Sequence, residues 1–444
     1  MSIKKNSLWN LAGLGGPLLV AAVTVPYLLR HLGVEAFGIL TLIWTLIGYF
    51  SLFDLGLGRA ITQKVSSILN SERKHEVSPI IQSGLIVTGA AGMFGMLVLA
   101  VLAHILANKW LNVSGPLIDE TFWSLIISAI GIPITTLTIG FRGVLEAFEN
   151  FKISSTFRII LGILNFAAPA VVVACIGNSL IWISLSLIVT RLLVAAIHWQ
   201  YVSKTYDVRL TRAGVQWSYV KELISFGGWT TASNVIGPLL VSADRFFISS
   251  VLGATAVAYY TVPFEIANRM LIIPVALTGA LFPRLASVIG SQHHEAESSY
   301  KGSVKLILYI MLPICLAAAA LSKPLLSLWL GAKFAEQSWM VASILFMGIF
   351  FNSLASVPFT YIQAAGKSRT TAFIHIFETI VYVPTLLLIL HTVGIVGAAI
   401  AWSGRALFDL LILLYLRREL SATYRLAPST DSATGTPGTP SGSA

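Results

Sequence analysis

Charged residues are scarce in this sequence. Only 11% of its 444 residues are Asp, Glu, Lys or Arg, whereas a soluble globular domain has roughly 25%. Hydrophobic residues make up 56% of the chain, and the mean hydropathy is +0.82. This composition excludes an ordinary soluble domain. It indicates an all-α polytopic membrane protein whose helices face lipid as well as one another.

Cysteine and catalytic motifs are also lacking. Cys175 and Cys315 are the two cysteines, and both fall in apolar runs, which predicts small core residues and provides neither a disulfide framework nor a metal site. No Walker A motif occurs, which excludes ATP hydrolysis through a P-loop. The outer turns are too short to form a soluble active site. We therefore expect neither an enzyme nor a cofactor, and we attribute the net charge of +10 to membrane topology rather than to nucleic-acid binding.

The long apolar runs are what the sequence does contain, and they predict about twelve transmembrane helices. The uncharged run over residues 36–53 is about 18 residues long, which is enough to cross the hydrocarbon core as a helix. We expect a charged loop over residues 59–76 after it. The predicted helices lie near residues 8–29, 36–53, 80–106, 122–141, 159–176, 180–199, 223–252, 256–282, 306–321, 339–361, 371–390 and 395–416.

These helices divide the chain into predicted parts. Residues 1–205 form an N-terminal lobe with helices one to six, and residues 206–222 form a cytoplasmic linker. Residues 223–420 form a C-terminal lobe with helices seven to twelve. The tail, residues 421–444, is rich in Ser, Thr, Gly and Pro, which predicts a disordered cytoplasmic segment.

Basic residues are distributed unevenly between the predicted loops. If both termini lie inside, the inner loops hold 21 of the 29 Lys and Arg residues and the outer turns hold 4. Because basic residues are enriched in cytoplasmic loops, this bias predicts that both termini are cytoplasmic.

Two short motifs recur half a chain apart. LGxxAxxxxT occurs at residues 32–41 and again at 252–261, and GPLLV occurs at 16–20 and again at 237–241. The two offsets are nearly equal. We interpret this as an internal duplication, and an even number of helices in each half would relate the two lobes as parallel repeats.

Charged residues within the predicted spans are the candidates for function. Each costs about 2.5–3.5 kcal/mol at the centre of a membrane helix on insertion scales, so pairing or function is expected. Glu265 and Arg269 are spaced i, i+4 on predicted helix eight, which allows an ion pair. A purely structural ion pair remains an alternative for such residues. The others are Asp54, Arg191, Asp244, Arg245, Glu378, Arg405 and Asp409, of which Arg405 and Asp409 are also spaced i, i+4.

Two stretches resemble a known family. LGVEAFGILTLIWTLIGYFSLFDLGLGRA (residues 32–60) and SADRFFISSVLGATAVAYYTVPFEI (residues 242–266) resemble polysaccharide biosynthesis, or O-antigen type, flippases. These belong to the multidrug/oligosaccharidyl-lipid/polysaccharide exporter superfamily, and the resemblance covers about residues 5–420. It implies two six-helix lobes around a central cavity lined by helices one, two, seven and eight. The substrate-binding candidates that it implies are Arg30, Asp54, Asp244, Arg245, Glu265 and Arg269.

The resemblance also implies a function. The chain would translocate a polyprenyl (undecaprenyl) pyrophosphate-linked oligosaccharide across the bacterial inner membrane by alternating access, for assembly of O-antigen, capsule or exopolysaccharide. Arginines in the cavity would bind the pyrophosphate through charge-assisted hydrogen bonds, and H⁺ or Na⁺ would be the coupling ion. One alternative is a cation-coupled drug antiporter of the same superfamily, whose cavity would be dominated by acids and aromatics. A membrane glycosyl polymerase or ligase is a second alternative, but it would need a long periplasmic loop.

Overall fold

The computed structural model describes residues 3–50, 57–69, 72–206, 215–223, 243–289 and 292–426, and most of them are helical. The helices are α1 (Ile3–Leu32), α2 (Val34–Phe50), α3 (Leu57–Ile68), α4 (Val77–Ile105), α5 (Gly115–Ala147), α6 (Phe151–Cys175), α7 (Leu180–Tyr206), α8 (Ala254–Arg269), α9 (Ile272–Val288), α10 (His293–Ala320), α11 (Ser322–Leu330), α12 (Ala332–Ala364), α13 (Ser368–Val393) and α14 (Ile395–Leu426). Residues 217–223 and 243–252 are also helical. The described ranges contain no strand, in agreement with the predicted all-α class.

The helices have the length and composition of membrane spans. Among the described residues, nine helical stretches are long and apolar enough to cross a bilayer, and Gly16–Leu32 and Val34–Ile47 are shorter apolar helices. Large apolar side chains such as Leu19, Val101 and Leu328 are more than 70% exposed, as lipid-facing residues are. The chain is therefore a multi-pass membrane protein.

Two compact units divide the chain, Met1–Thr261 and Val262–Ala444. The division falls inside α8. Residues 207–214 and 224–242, which include much of the predicted linker and of helix seven, lie outside the described residues. The lobe boundaries drawn from the sequence therefore stay predictions.

The first unit is organised around α5, against which α3, α4 and α7 pack, while α1 packs on α6. Its core contains Ile61 of α3, Ile81 of α4, Val144 of α5 and Val202 of α7, all of which are fully buried. The core therefore joins four helices that are distant in sequence.

Helix α3 corrects the prediction of a charged loop over residues 59–76. Its apolar side chains, among them Ile61 and Val65, are buried, while hydroxyl groups next to them bond to α5. Thr62 Oγ1 donates to the carbonyl oxygen of Gly143 at 2.9 Å, and Ser66 Oγ donates to that of Ala147 at 3.5 Å. The helix is amphipathic with few apolar residues overall, so a search for long apolar runs does not detect it.

Residues 215–223, which are the described end of the predicted linker and the first residue of predicted helix seven, dock on α3 and α4. The backbone N–H of Gln216 donates to Ser83 Oγ at 3.1 Å, and the Tyr219 hydroxyl donates to Glu76 Oε2 at 2.6 Å. This bond to a carboxylate is the main cause that raises the pKa of Tyr219 above its ordinary value. Leu223 is buried among apolar side chains of α3 and α4. The segment is thus part of the first unit.

The second unit is organised around α12, which contacts α9, α10, α11 and α14, while α13 packs on α14. Predicted helix eight is in fact two helices, because the α-helical pattern breaks between Arg269 and Ile272. Helix α14 continues to Leu426, six residues into the predicted tail. Of the two cysteines predicted in the core, Cys315 on α10 is buried, but Cys175 is exposed because it is the last residue of α6.

The repeated LGxxA motif has the same local geometry in both copies. Gly33 follows α1 with φ 81°, and Gly253 follows the helix at 243–252 with φ 85°. Each glycine N–H donates to the carbonyl oxygen four residues earlier, at 3.1 Å to Leu29 and 2.8 Å to Ser249. Glycine is favoured at such left-handed helix ends. The likeness of the two turns agrees with the predicted duplication.

Candidate functional site

Asp244 and Arg245 lie in a buried hydrogen-bond network of the first unit. The two residues are 1% and 6% exposed. Asp244 Oδ1 accepts the Arg245 backbone N–H at 2.8 Å, and its Oδ2 accepts the hydroxyl of Tyr260 at 2.6 Å. Tyr260 belongs to α8 and is fully buried. The carboxylate therefore ties the helix at 243–252 to α8.

The guanidinium group of Arg245 extends this network to α2. Its Nη1 donates to Thr45 Oγ1 at 2.8 Å, and the Thr45 hydroxyl donates to the carbonyl oxygen of Thr41 at 2.7 Å. The prediction of buried charge holds for Asp244 and Arg245. Their partners Thr45 and Tyr260 were not foreseen, because a Thr and a Tyr within apolar helices carry no distinctive sequence signal.

Glu265 and Arg269 form the predicted i, i+4 ion pair, in the second unit. Arg269 Nη2 lies 3.7 Å from Glu265 Oε2, and the two side chains are 49% and 42% exposed. The expectation that this pair is buried is therefore wrong. Arg269 is the last residue of α8, directly before the break that separates it from α9. Its side chain is therefore half-exposed at the end of the helix.

The remaining predicted site residues are Arg30 and Asp54. Arg30 lies in the last turn of α1 and is exposed. The neighbouring turn is fixed, because Asn178 Nδ2 donates to the carbonyl oxygen of His31 at 2.8 Å. Asp54 lies outside the described residues, so its place in the site stays a prediction.

A buried charged group on α13 and α14 was not assigned to the site from the sequence. Glu378 Oε2 lies 3.7 Å from Arg405 Nη1 and 3.4 Å from His375 Nδ1. One side-chain atom each of His375, Glu378 and Asp409 lies within 4.8 Å of the other two. The expected i, i+4 partner of Arg405 was Asp409, yet its ion pair is with Glu378 on the facing helix. A His one turn before an isolated acid in an apolar run is the signal that could have revealed this group.

A second buried arginine, Arg191 on α7, has neutral partners. Its Nη1 donates to the carbonyl oxygen of Leu187 and its Nη2 to Asn165 Oδ1, both at 2.9 Å. Arg191 is 8% exposed. The bond to Asn165 links α7 to α6, and the two bonds together satisfy part of the guanidinium, which supports a structural role in the first unit.

Sequence comparison assigns the family. The family model for polysaccharide biosynthesis proteins matches residues 3–289, and the MatE family model matches residues 230–388. A Shigella flexneri protein named as a candidate O-antigen transporter is 33% identical over 427 residues, which cover 96% of this chain and all of that protein. The chain belongs to the polysaccharide biosynthesis protein family. The resemblance noted in the sequence, and with it membership of the multidrug/oligosaccharidyl-lipid/polysaccharide exporter superfamily, is confirmed.

Solved structures share the fold of this polysaccharide biosynthesis family member. A multidrug resistance MATE family transporter in its inward-facing conformation superposes with a TM-score of 0.78 at 16% identity, covering 96% of this chain and 97% of that one. The lipid II flippase MurJ superposes with a TM-score of 0.72 at 12% identity, covering 94% and 91%. These likenesses confirm the predicted architecture of about twelve membrane helices.

Proposed function

We propose that this chain is a flippase for an oligosaccharide linked to polyprenyl (undecaprenyl) pyrophosphate. It would move this lipid across the bacterial inner membrane by alternating access, with both termini in the cytoplasm, for assembly of O-antigen, capsule or exopolysaccharide. The single observation that carries the proposal is the full-length similarity to the candidate O-antigen transporter of Shigella flexneri. The chemistry of the substrate agrees, because a pyrophosphate cannot cross hydrocarbon without a polar path.

Arg269 is the residue that we assign to the pyrophosphate. Its guanidinium is half-exposed and lies 3.7 Å from Glu265, and a long, partly exposed pair of this kind contributes little to stability. A phosphate oxygen pair would offer two parallel charge-assisted hydrogen bonds instead. When the substrate binds, Arg269 would leave Glu265 and bind the phosphate. When the substrate is released, Arg269 would pair with Glu265 again. Reversible binding of this kind is what a transport cycle requires.

Arg245 and Asp244 have a different proposed role. Both are buried, and the Arg245 guanidinium is bonded to Thr45, so they are positioning residues rather than direct contacts of the lipid. They would fix the helix at 243–252 against α2 and α8. Arg30 and Asp54 stay candidates for the polar path on the first two helices.

Arg269→Ala tests the assignment in a bacterial strain that lacks its own flippase and carries this chain with its polysaccharide genes. We expect surface polysaccharide to be lost while the amount of protein in the membrane is unchanged. Arg269→Lys should restore export only partly, because an ammonium lacks the planar fork that binds two phosphate oxygens. Arg284→Ala is the matched control, since this arginine also pairs with an acid, Glu295 at 3.3 Å, and is 63% exposed.

A double variant separates a substrate contact from a structural ion pair. Glu265→Gln combined with Arg269→Gln removes both charges and leaves no unpaired partner. Normal export by this variant would show that the pair is structural, and it would overturn the assignment of Arg269. We expect export to be lost as in Arg269→Ala.

The match of the MatE model to residues 230–388 favours a second candidate, a cation-coupled drug antiporter. The same strain distinguishes the two functions. A flippase restores surface polysaccharide and leaves drug sensitivity unchanged, whereas an antiporter raises drug resistance and restores no polysaccharide. Export that depends on Arg269 would favour the flippase, because a cationic drug gains nothing from an arginine.

A further inference from the structure

The buried charged group of the second unit has four members on two helices. His375 and Glu378 lie one turn apart on α13, and Arg405 and Asp409 lie one turn apart on α14. Glu378 is the central residue, because its carboxylate faces both the guanidinium of Arg405, at 3.7 Å, and the imidazole of His375, at 3.4 Å. The group therefore joins the two helices through charge rather than through apolar packing alone.

Three members of the group are largely buried, but their hydrogen bonding is incomplete. The side chain of Glu378 is 1% exposed and that of Arg405 is 19% exposed, and Asp409 is 8% exposed. Glu378 Oε1, Asp409 Oδ1 and Arg405 Nε are buried and have no hydrogen-bond partner in the described part of the chain. Buried carboxylate oxygens are normally paired. Two carboxylates with oxygens within 4.8 Å of each other favour a proton, which would convert an oxygen of one into a donor to the other.

The charges of the group lead to the same conclusion. With His375 neutral and both acids ionised, Arg405 balances only one of two carboxylates, and a net charge of −1 is buried. One added proton makes the group neutral, whether it resides on the imidazole or on a carboxyl. An uncompensated buried charge is costly, so the group is stable with one proton bound and is destabilised when that proton leaves.

We propose that His375, Glu378, Arg405 and Asp409 form a binding site for one exchangeable proton. Its role as the coupling site of transport rests on the proposed function, but proton binding itself does not. The proton would enter and leave through His375, because the side chain of His375 is 43% exposed whereas that of Glu378 is 1% exposed. A metal ion is disfavoured as the ligand because the Arg405 guanidinium already neutralises Glu378 and would repel a cation.

The aromatic side chains around the site agree with a proton that is held by these four residues. On α13, Tyr382 lies below Arg405, with 5.6 Å between the ring centroid and the guanidinium carbon. On α12, the neighbour of His375 is the ring of Phe359, at 5.5 Å between centroids, which does not titrate. In the part of the chain that the structure describes, the charged groups that act on His375 and Asp409 are the other members of the group. The proton would therefore be shared among the side chains of this group.

Infrared difference spectroscopy of the purified full chain in lipid nanodiscs, between about pH 5 and 8, tests the proposal. We expect the carbonyl band of a protonated carboxylic acid, which disappears as the pH rises. Asp409→Asn should abolish the band, because Glu378 then stays ionised beside Arg405. His375→Gln should keep the band and strengthen it, since the proton can no longer move to the imidazole. This second variant changes a half-exposed side chain and should fold.

Glu336→Gln is the matched control, because this acid of α12 is 68% exposed and pairs with Lys323 at 3.7 Å. It should leave the band unchanged. The absence of a titrating band from both the wild type and His375→Gln, or a band that survives Asp409→Asn, would overturn the proposal. So would loss of the band when sodium ion is added at constant pH, because the site would then bind a metal cation. No lipid-linked sugar is present in this measurement, so a failed flippase assay leaves its outcome untouched.

Discussion

Two pairs of charged residues, Asp244 with Arg245 and Glu265 with Arg269, lie only about 20 residues apart in the sequence but have opposite environments. Asp244 and Arg245 are almost fully buried, and each makes hydrogen bonds of 2.6–2.8 Å with side chains of another helix. Glu265 and Arg269 are half-exposed, and their closest charged atoms are 3.7 Å apart. The first motif makes short hydrogen bonds in the core, whereas the second is a longer and more exposed ion pair.

The difference shows that position along an apolar run does not set the surroundings of a charge. All four residues fall within predicted spans, so insertion cost alone would treat them alike. What separates them is the direction that each side chain takes around its helix, and whether a polar partner lies there. A fixed motif suits positioning and an exchangeable one suits binding. Three predictions test this contrast, and they are ordered by expected effect.

The largest effect should come from Gly38→Ala, which disturbs the packing beside the buried motif. A Cβ atom at this position of α2 would lie 2.0 Å from the carbonyl oxygen of Ala254, the first residue of α8. Backbone atoms cannot move aside easily, so we expect a loss of stability at or above about 3 kcal/mol, the upper end for overpacked cores. The melting temperature in detergent measures it.

Gly279→Ala is the control for this experiment. This residue of α9 has no atom within 4 Å of an added Cβ, and Ala is favoured over Gly in a helix by up to about 1 kcal/mol. Its melting temperature should be unchanged or slightly higher. If Gly38→Ala behaves like Gly279→Ala, α2 and α8 do not approach as described.

A smaller effect is expected for Tyr260→Phe, which removes one hydroxyl from the buried network. Asp244 Oδ2 then loses the donor at 2.6 Å, and a hydrogen bond to a charged group contributes about 1.5–3 kcal/mol. We expect a lower melting temperature with normal insertion into the membrane. Tyr309→Phe, at a position that is 74% exposed, should have no effect, and an equal loss in both variants would refute the network.

The smallest change in stability should follow Glu265→Gln. Its partner Arg269 is 3.7 Å away, and both side chains are more than one-third exposed, so the pair contributes less than about 1 kcal/mol. The melting temperatures of wild type and variant should also converge as salt is added, because salt screens accessible charges. A loss as large as that of Tyr260→Phe would show that the pair is fixed, and the contrast between the two motifs would fail.

The apolar runs were sufficient to predict most helices, because each run of about 20 residues has one stable structure in a bilayer. They failed where a helix is not defined by such a run. Helix α3 is amphipathic, and α11 is only 9 residues long. The break after Arg269 was also missed, because hydropathy averaged over a long run does not report where backbone hydrogen bonds are interrupted.

The site was harder to predict than the fold. Charges in spans identify candidates one by one, and Asp244, Arg245, Glu378 and Arg405 were found in this way. Their partners depend on how distant helices meet: Arg245 bonds to a residue 200 positions earlier in the chain. Periodicity within one helix cannot supply such a pairing, and it suggested Asp409 instead of Glu378 for Arg405.

The hydroxyl bonds between α3 and α5 have a mechanical consequence. Thr62 and Ser66 are one helical turn apart, and so are their acceptors in Gly143 and Ala147. The two bonds therefore fix the register of α3 against α5. Equivalent registers are separated by about 5.4 Å, the pitch of an α-helix. A slide of half a step would break both bonds, whereas a full step would bring Thr62 opposite Ala147 and restore one. Helix α3 is therefore expected to keep its register against α5 or to shift by a whole helical turn, and a displacement smaller than one turn would be opposed by the loss of both bonds.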